Sequence, residues 1–178
     1  MPRKPVIETP RLHLREMTLE DAEALFGVFG DPVAMRYFPA PYTLEQLEGL
    51  IARNQERYRT LGFGLWTVLD RDSRAIVGDC GLTIQTIEDH EELEIGYHFL
   101  PSHQGRGYAT EAAAACLGWG FERTGYDRIV SMMVVDHAAS RRVAEKVHAR
   151  YLGEFERVGL PHCYYGTTRA EHRGAAPC

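Results

Sequence analysis

Leu93-Glu94-Ile95-Gly96-Tyr97-His98-Phe99-Leu100, then Pro101-Ser102-His103, then Gln104-Gly105-Arg106-Gly107-Tyr108-Ala109-Thr110 and the alanine-rich run Ala112 to Ala115 are the residues on which the reading turns. The first eight read as a strand, and Thr110 to Arg123 as a helix of strong helix formers closed near Gly125. Between them lies a glycine turn. Glycines let a backbone approach a ligand closely, and a helix start offers unpaired N–H groups at the positive end of a dipole. Such a junction is a seat for a phosphate or pyrophosphate. Spacing alone also allows a plain tight turn into a helix, so both readings stand at this point. A Walker A loop requires Gly-Lys-Ser/Thr at its end, which is missing, and a dinucleotide fingerprint requires Gly or Ala where Thr110 stands.

Upstream, Val6 to Arg15 alternates in part and predicts a strand. Thr18 with Asp21 predicts a capped helix over about 19–29, ended at Asp31-Pro32. Thr43 with Gln46 predicts a second helix with Leu47, Leu50, Ile51 and Tyr58 as its stripe and a stop at Gly62. Phe63–Leu69 and Ala75–Gln85 predict two strands around a polar turn, and Ile87–Glu92 an acidic loop or hairpin end. The short connections through Leu100 predict an antiparallel meander. Downstream follow a strand over Arg128–Val135, a helix over about 138–148 and strands near 151–157 and 162–168. Residues 1–5 and 169–178 are expected to be flexible termini around a single domain spanning 6–168.

The 178 residues carry 20 Lys plus Arg against 25 Asp plus Glu, a formal charge of −5, and 44% hydrophobic residues. That composition is an ordinary globular one and argues against nucleic acid as a partner. No apolar run approaches the roughly 18 residues of a membrane span, and no apolar stretch follows the basic start, so no membrane partner and a cytoplasmic location are expected. The four cysteines form no CxxC, so no metal is expected.

Gln104-x-x-Gly107-x-Ala109 resembles the Q/R-x-x-G-x-G/A signature of the GNAT superfamily of N-acetyltransferases. Glu8-Thr9-Pro10-Arg11-Leu12-His13-Leu14-Arg15, Leu19-Glu20-Asp21-Ala22, Ile76-Val77-Gly78, Cys80-Gly81-Leu82 and Glu94-Ile95-Gly96-Tyr97 resemble, in the same order, its RimJ/RimL-like branch. The resemblance implies an α/β (α+β) fold with a mixed, mostly antiparallel sheet of about seven strands, helices on both faces, splayed between the fourth and fifth strands. It implies acetyl-CoA as co-substrate, with its pyrophosphate on the amides from Gly105 through Arg106, Gly107, Tyr108 and Ala109 to Thr110. The pantetheine arm would then pair with strand backbone near Phe99 and Leu100. Gln104 belongs to the same signature. Coenzyme A is anionic, so Arg106, Arg141, Arg142 and Lys146 are candidate counter-charges, with Arg106 and Arg142 favoured for phosphate contact.

On that resemblance Glu94 is the candidate general base, with His98 a second candidate on the same strand face, and Ser140 the candidate proton donor to the departing sulfur. Ala138 to Lys146 resembles the family's N-x-A-S-x-R-x-x-E-K helix, but the tyrosine acid of many relatives falls on Ala144. The usual asparagine at the head is His137, a candidate pantetheine contact, and the usual Lys-Leu-Gly-Phe ending reads Lys146-Val147-His148-Ala149. The acceptor, a primary amine on a small molecule or a protein N-terminus, would lie near Met35–Tyr42 and Gly159–Tyr165. The protein would work as a monomer or homodimer. The alternative is a catalytically silent acyl-CoA-binding module of the same fold, which the changes at His137, His148 and Ala149 keep open.

Overall fold

The computed structural model describes residues 4–175. Its elements are β1 (Ile7–Glu8), β2 (Leu12–Glu16), α1 (Ala22–Phe29), α2 (Leu44–Thr60), β3 (Leu65–Asp70), β4 (Ile76–Ile87), β5 (His90–Phe99), α3 (Tyr108–Arg123), β6 (Arg128–Val134), α4 (Ala138–Val147), β7 (Arg150–Arg157), β8 (Leu160–Thr168) and α5 (Arg169–Ala175). The eight strands form one sheet in the order β1-β2-β3-β4-β5-β6-β8-β7. Every pairing is antiparallel except β5 with β6.

Alternation along the strands divides the core between the two faces. Trp66 and Val68 of β3 pack with Ala112, Ala113 and Cys116 of α3. Their neighbour Leu65 points the other way and joins Leu25, Val28 and Phe29 of α1 and Leu47 and Ile51 of α2. Small side chains on the inner side of α3 bring its backbone close to the sheet. The predicted caps form: Thr43 Oγ1 accepts from Gln46 N–H at 3.2 Å, and Gln46 Oε1 accepts from Thr43 N–H at 2.8 Å. Asp21, 2% exposed, accepts from Thr18 N–H, Thr67 Oγ1 and both Arg15 guanidinium nitrogens, which ties α1 to the sheet.

Three stretches differ from the sequence reading. The single strand over Val6–Arg15 is two, because Pro10 withholds an N–H and the chain turns between Thr9 and Leu12; this raises the strand number to eight. The acidic loop shrinks to a tight turn at Glu88 and Asp89, both at positive φ (46° and 66°), and β4 and β5 pair up to Ile87 and His90. The terminus expected to be flexible forms α5 through Ala175. Thr168 N–H and Oγ1 bond Glu171 Oε2 at 2.9 and 2.8 Å, and Arg169 donates to the carbonyls of Thr124 and Tyr126. Residues 1–3 and 176–178, the outer parts of the two predicted loose termini, lie outside the described residues.

One irregularity positions the site. β5 and β6 pair only at Leu93 with Ile129 and Glu94 with Val130, then part. β5 continues to Phe99 and β6 to Val134, so a wedge-shaped gap opens in the middle of the sheet. The glycine turn and the start of α3 follow directly from the far end of β5.

Candidate active site

Gly105 and Gly107 both take the left-handed conformation, at φ +76° and +80°, which L side chains adopt at a cost of about 1–2 kcal/mol. Gly107 is the N-cap of α3 and supplies no capping side chain, so the first-turn amides of Tyr108, Ala109 and Thr110 lack a side-chain acceptor. Tyr108 is buried, Ala109 and Thr110 are half-buried, and Gly105, Arg106 and Gly107 are exposed. Gln104 Nε2 donates to Phe99 O at 3.0 Å, which folds the turn back on the end of β5. A row of free amides at a helix start, beside exposed glycines, fits an anionic pyrophosphate.

The turn is braced from the opposite end of the chain. Arg11 donates through N–H and Nε to Glu111 at 2.9 and 2.6 Å, through Nη1 to Arg106 O at 2.9 Å, and lies over the Tyr108 ring. Thr9 Oγ1 adds a 2.6 Å bond to Glu111, and Tyr108 OH one of 2.6 Å to Asp70. Burial raises the Glu111 pKa, but its bonds to Thr9 and Arg11 outweigh this and hold it below the ordinary value. Arg11 thus adds a second cation to the turn beside Arg106, and sequence reading passed over it in favour of later arginines. Of those, Arg106 and Arg142 are exposed, whereas Arg141 turns towards Tyr165 OH and Val135 O.

At the mouth of the gap, Leu100 differs from its neighbours on β5. Both groups of Leu100 are occupied: its N–H goes to Val77 O on β4 and its C=O accepts from His103 N–H. Backbone groups point to alternate neighbours along a strand, so those of Tyr97 and Phe99 face the gap, the Phe99 carbonyl already accepting from Gln104 and its N–H left for a ligand. The apex is closed by Ser131, 1% exposed, whose hydroxyl donates to Ile95 O at 3.0 Å.

The two faces of β5 meet different chemistry at this gap. On the α3–α4 face, Tyr97 OH lies 3.0 Å from both the carbonyl oxygen and Oγ of Ser140, which is in the first turn of α4. Burial pushes the phenol pKa up, so it keeps its proton. The site that lacks a tyrosine at Ala144 therefore has one reaching in from β5, a residue sequence reading left in the strand. On the α1–α2 face stand Glu94, 8% exposed and bonded by Thr83 Oγ1 at 3.0 Å, and His98, bonded to Asp79 at 2.9 Å. Burial raises the Glu94 pKa above the ordinary carboxylate value, with Thr83 and Arg157 opposing it.

The departures at α4 are accommodated. His137 is the N-cap, its Nδ1 accepting from Ser140 N–H at 3.4 Å, and its ring stacks on Tyr37 at 4.1 Å. Burial, with Arg36 and His98 nearby, lowers its pKa to about 4, so it stays neutral and able to accept. Helix α4 ends on His148 in an extended conformation (φ −100°, ψ 150°), a stop that needs no glycine. The His148 ring turns inward between Ser131 Oγ at 3.0 Å and Thr167 Oγ1 at 3.3 Å and supports the gap apex, while Ala149 lies exposed. Among the described residues, no group of three or more His, Cys, Asp or Glu is placed to hold a metal ion, and no helix is long and apolar enough to cross a membrane.

The family model described as "Acetyltransferase (GNAT) domain" matches residues 11–150. YkkB of Bacillus subtilis, an uncharacterized protein, is 34% identical over 166 residues, covering 93% of this chain and 96% of its own. A GNAT-family acetyltransferase from Bacillus anthracis superposes with a TM-score of 0.79 at 27% identity, over 93% of this chain and 99% of that one. The ribosomal L7/L12 α-N-protein acetyltransferase RimL, solved in complex with coenzyme A, shares the fold with a TM-score of 0.77 at 19% identity, over 93% and 98%. With a splayed sheet, a free helix start and an arginine-braced glycine turn at residues that carry the family signature, this chain belongs to the GNAT acetyltransferase family.

Proposed function

We propose that this protein transfers an acetyl group from acetyl-CoA to a primary amine by direct attack with both substrates bound. The observation that carries this reading is the opening between β5 and β6, which runs from the glycine turn to a point flanked by Ser140 with Tyr97 on one face and Glu94 on the other. The amides from Gly105 to Thr110, with Arg106 and Arg142 as counter-charges, would hold the pyrophosphate. Tyr97 and Phe99 backbone would pair with the pantetheine, His137 would border it, and acetyl-CoA would supply an activated thioester at the gap.

The residues then divide the proton work. An ammonium cannot attack, so a base must first take a proton. Glu94 would do this, a reading supported by its raised pKa, which makes it a stronger base than an ordinary carboxylate. Ser140 would give a proton to the departing sulfur, a reading supported by its hydrogen bond to a phenol that stays protonated. Holding the reactants in register supplies part of the barrier, about 7–11 kcal/mol in ideal cases. The acceptor is a small amine or a protein N-terminus of the kind acted on by RimL, and it would approach from α1 and the 35–42 loop, where Tyr37 and Phe38 lie against His137 and His98.

The test is release of free thiol from acetyl-CoA in the presence of a panel of peptide N-terminal amines, amino acids and polyamines. Amine-dependent release is expected. Tight coenzyme A binding with no release across the panel would leave only the binding function.

A further inference from the structure

We propose that His98, oriented by Asp79, is a second proton acceptor in the transfer reaction, with the acceptor nitrogen lying over Gly96 between His98 and Glu94. This rests on the transferase reading above. Across β4 and β5 the register places Asp79 opposite His98, Gly81 opposite Gly96, and Thr83 opposite Glu94, all on one face. Two polar pairs therefore flank a pair of glycines, with Leu65 the one side chain close by. A Cβ built on Gly96 would meet only Leu65 Cδ2 within 4 Å, at 3.4 Å.

The Asp79 carboxylate is 0% exposed and only accepts hydrogen bonds, so the 2.9 Å contact requires the proton on His98 Nδ1. That fixes the neutral tautomer with a lone pair on Nε2. Nε2 has no hydrogen-bond partner among the described residues, and the side chain is 20% exposed. The second oxygen of Asp79 is buried with no partner among the described residues, so the carboxylate's hydrogen bond there goes to the imidazole.

His148 shows what a purely structural histidine looks like in the same protein. Both of its ring nitrogens are bonded, and burial drives its pKa to about 4. For His98 burial pulls the same way, but the charge and hydrogen bond of Asp79, with Glu94, outweigh it and raise the pKa above 6.5. The groups facing His98 are Asp79 from β4, Glu94 on its own strand, and His137 at the head of α4, with the rings of Phe29 and Phe38 at 5.0 and 5.4 Å.

The chemistry requires two acceptors. The nitrogen arrives with three protons and leaves as an amide with one. One proton goes before the C–N bond forms and one after it. The C–S bond breaks and the sulfur takes a proton from Ser140; Glu94 and His98 each return one proton to water and Ser140 regains one from it, so one proton is released overall. Glu94 is 8% exposed and suits the first transfer. His98 reaches solvent through Nε2 and can pass its proton to water, which clears the site for another turnover.

The tautomer is read without any acceptor by two-bond ¹⁵N–¹H spectra of the wild type. Protonated Nδ1 and bare Nε2 are expected at high pH, and Asp79→Asn should lower the ring pKa. For activity, His98→Asn keeps a donor towards Asp79. With an alanine-headed peptide and with phenethylamine as acceptors, it should lose about 10²-fold in kcat/KM. Its acetyl-CoA Kd should stay within twofold, and added imidazole should restore part of the rate. Asp79→Asn should move the acid limb of the pH profile downward. A ring with its proton on Nε2, or wild-type rates in His98→Asn, overturns the inference while leaving the transferase reading intact. No amine-dependent thiol release by the wild type overturns both.

Discussion

Replacing Gly107 with alanine should separate the strain of the turn from its work on the ligand. The backbone there sits at φ +80°, so any L side chain costs about 1–2 kcal/mol. The added Cβ meets only one atom within 4 Å, Arg11 Nη2 at 3.4 Å, so sterics in the free protein add little. For a chain of this length that strain corresponds to a melting point lower by about 3–6 °C. Affinity should fall further. A retained turn places a methyl group on the open side of the glycine, and a relaxed turn swings the first amides of α3 away from the anion. Each charge-assisted hydrogen bond is worth about 1.5–3 kcal/mol, so losing one or two weakens binding by about 2–5 kcal/mol, or roughly 30- to several-thousand-fold in Kd. Gly62 is the control: its φ is +81°, nothing lies within 4 Å of its Cβ, and it follows α2, away from the turn. Gly62→Ala should lose similar thermal stability and bind coenzyme A as the wild type does. Titration calorimetry with coenzyme A and thermal melts of the three proteins decide it. Equal melting losses with an unchanged Kd in Gly107→Ala would refute the reasoning.

Glu94→Gln should lower kcat by about 10²-fold with the acetyl-CoA Kd within twofold, and equal losses in both would remove Glu94 as base. Ser140→Ala and Tyr97→Phe remove the two sides of one 3.0 Å contact, so the double variant should lose less kcat than the product of the singles; full additivity would show that they act independently. Burial holds folded His148 at about 4 against 6.5 ordinarily, so the unfolded chain takes up the proton first. Stability from this group is intact above pH 6.5 and falls as pH drops towards 4, by about 3 kcal/mol at the bottom of that window. Urea titrations of His148→Gln should show a correspondingly shallower acid dependence than the wild type.

The sheet and its helices were legible because their signals are local. Capping residues at Thr43 and Gln46, the apolar stripe of α2 and the glycine turn each act within a few residues. Pro10 and the Glu88-Asp89 turn were misjudged because a strand break and a two-residue turn hang on single dihedral choices. Helix α5 escaped notice because bonds to Glu171 and to distant carbonyls hold it, where an apolar stripe would have been visible. The site divides the same way. The glycine turn and the helix start at Tyr108 follow from the motif. Arg11, Tyr97 and Asp79 act through contacts 19 to 100 residues away in the chain, created by the docking of α3 and α4 and by the β4–β5 register. The Glu8–Arg15 signature did mark Arg11, and Asp79 could have been found by pairing the two strands of the meander around Gly81 and Gly96. The inward turn of His148 had no sequence signal, since it depends on how α4 stops.

The central claim is that backbone amides at 105–110 hold the pyrophosphate and lead the thioester into the gap between β5 and β6. Amide ¹H–¹⁵N shifts recorded while coenzyme A is added test it most directly, read beside the same titration with pantetheine, which lacks the pyrophosphate. The account predicts large changes at Gly105 to Thr110 with coenzyme A only, and changes at Tyr97 and Phe99 with both. Saturable coenzyme A binding that leaves the amides of 105–110 unmoved would contradict it.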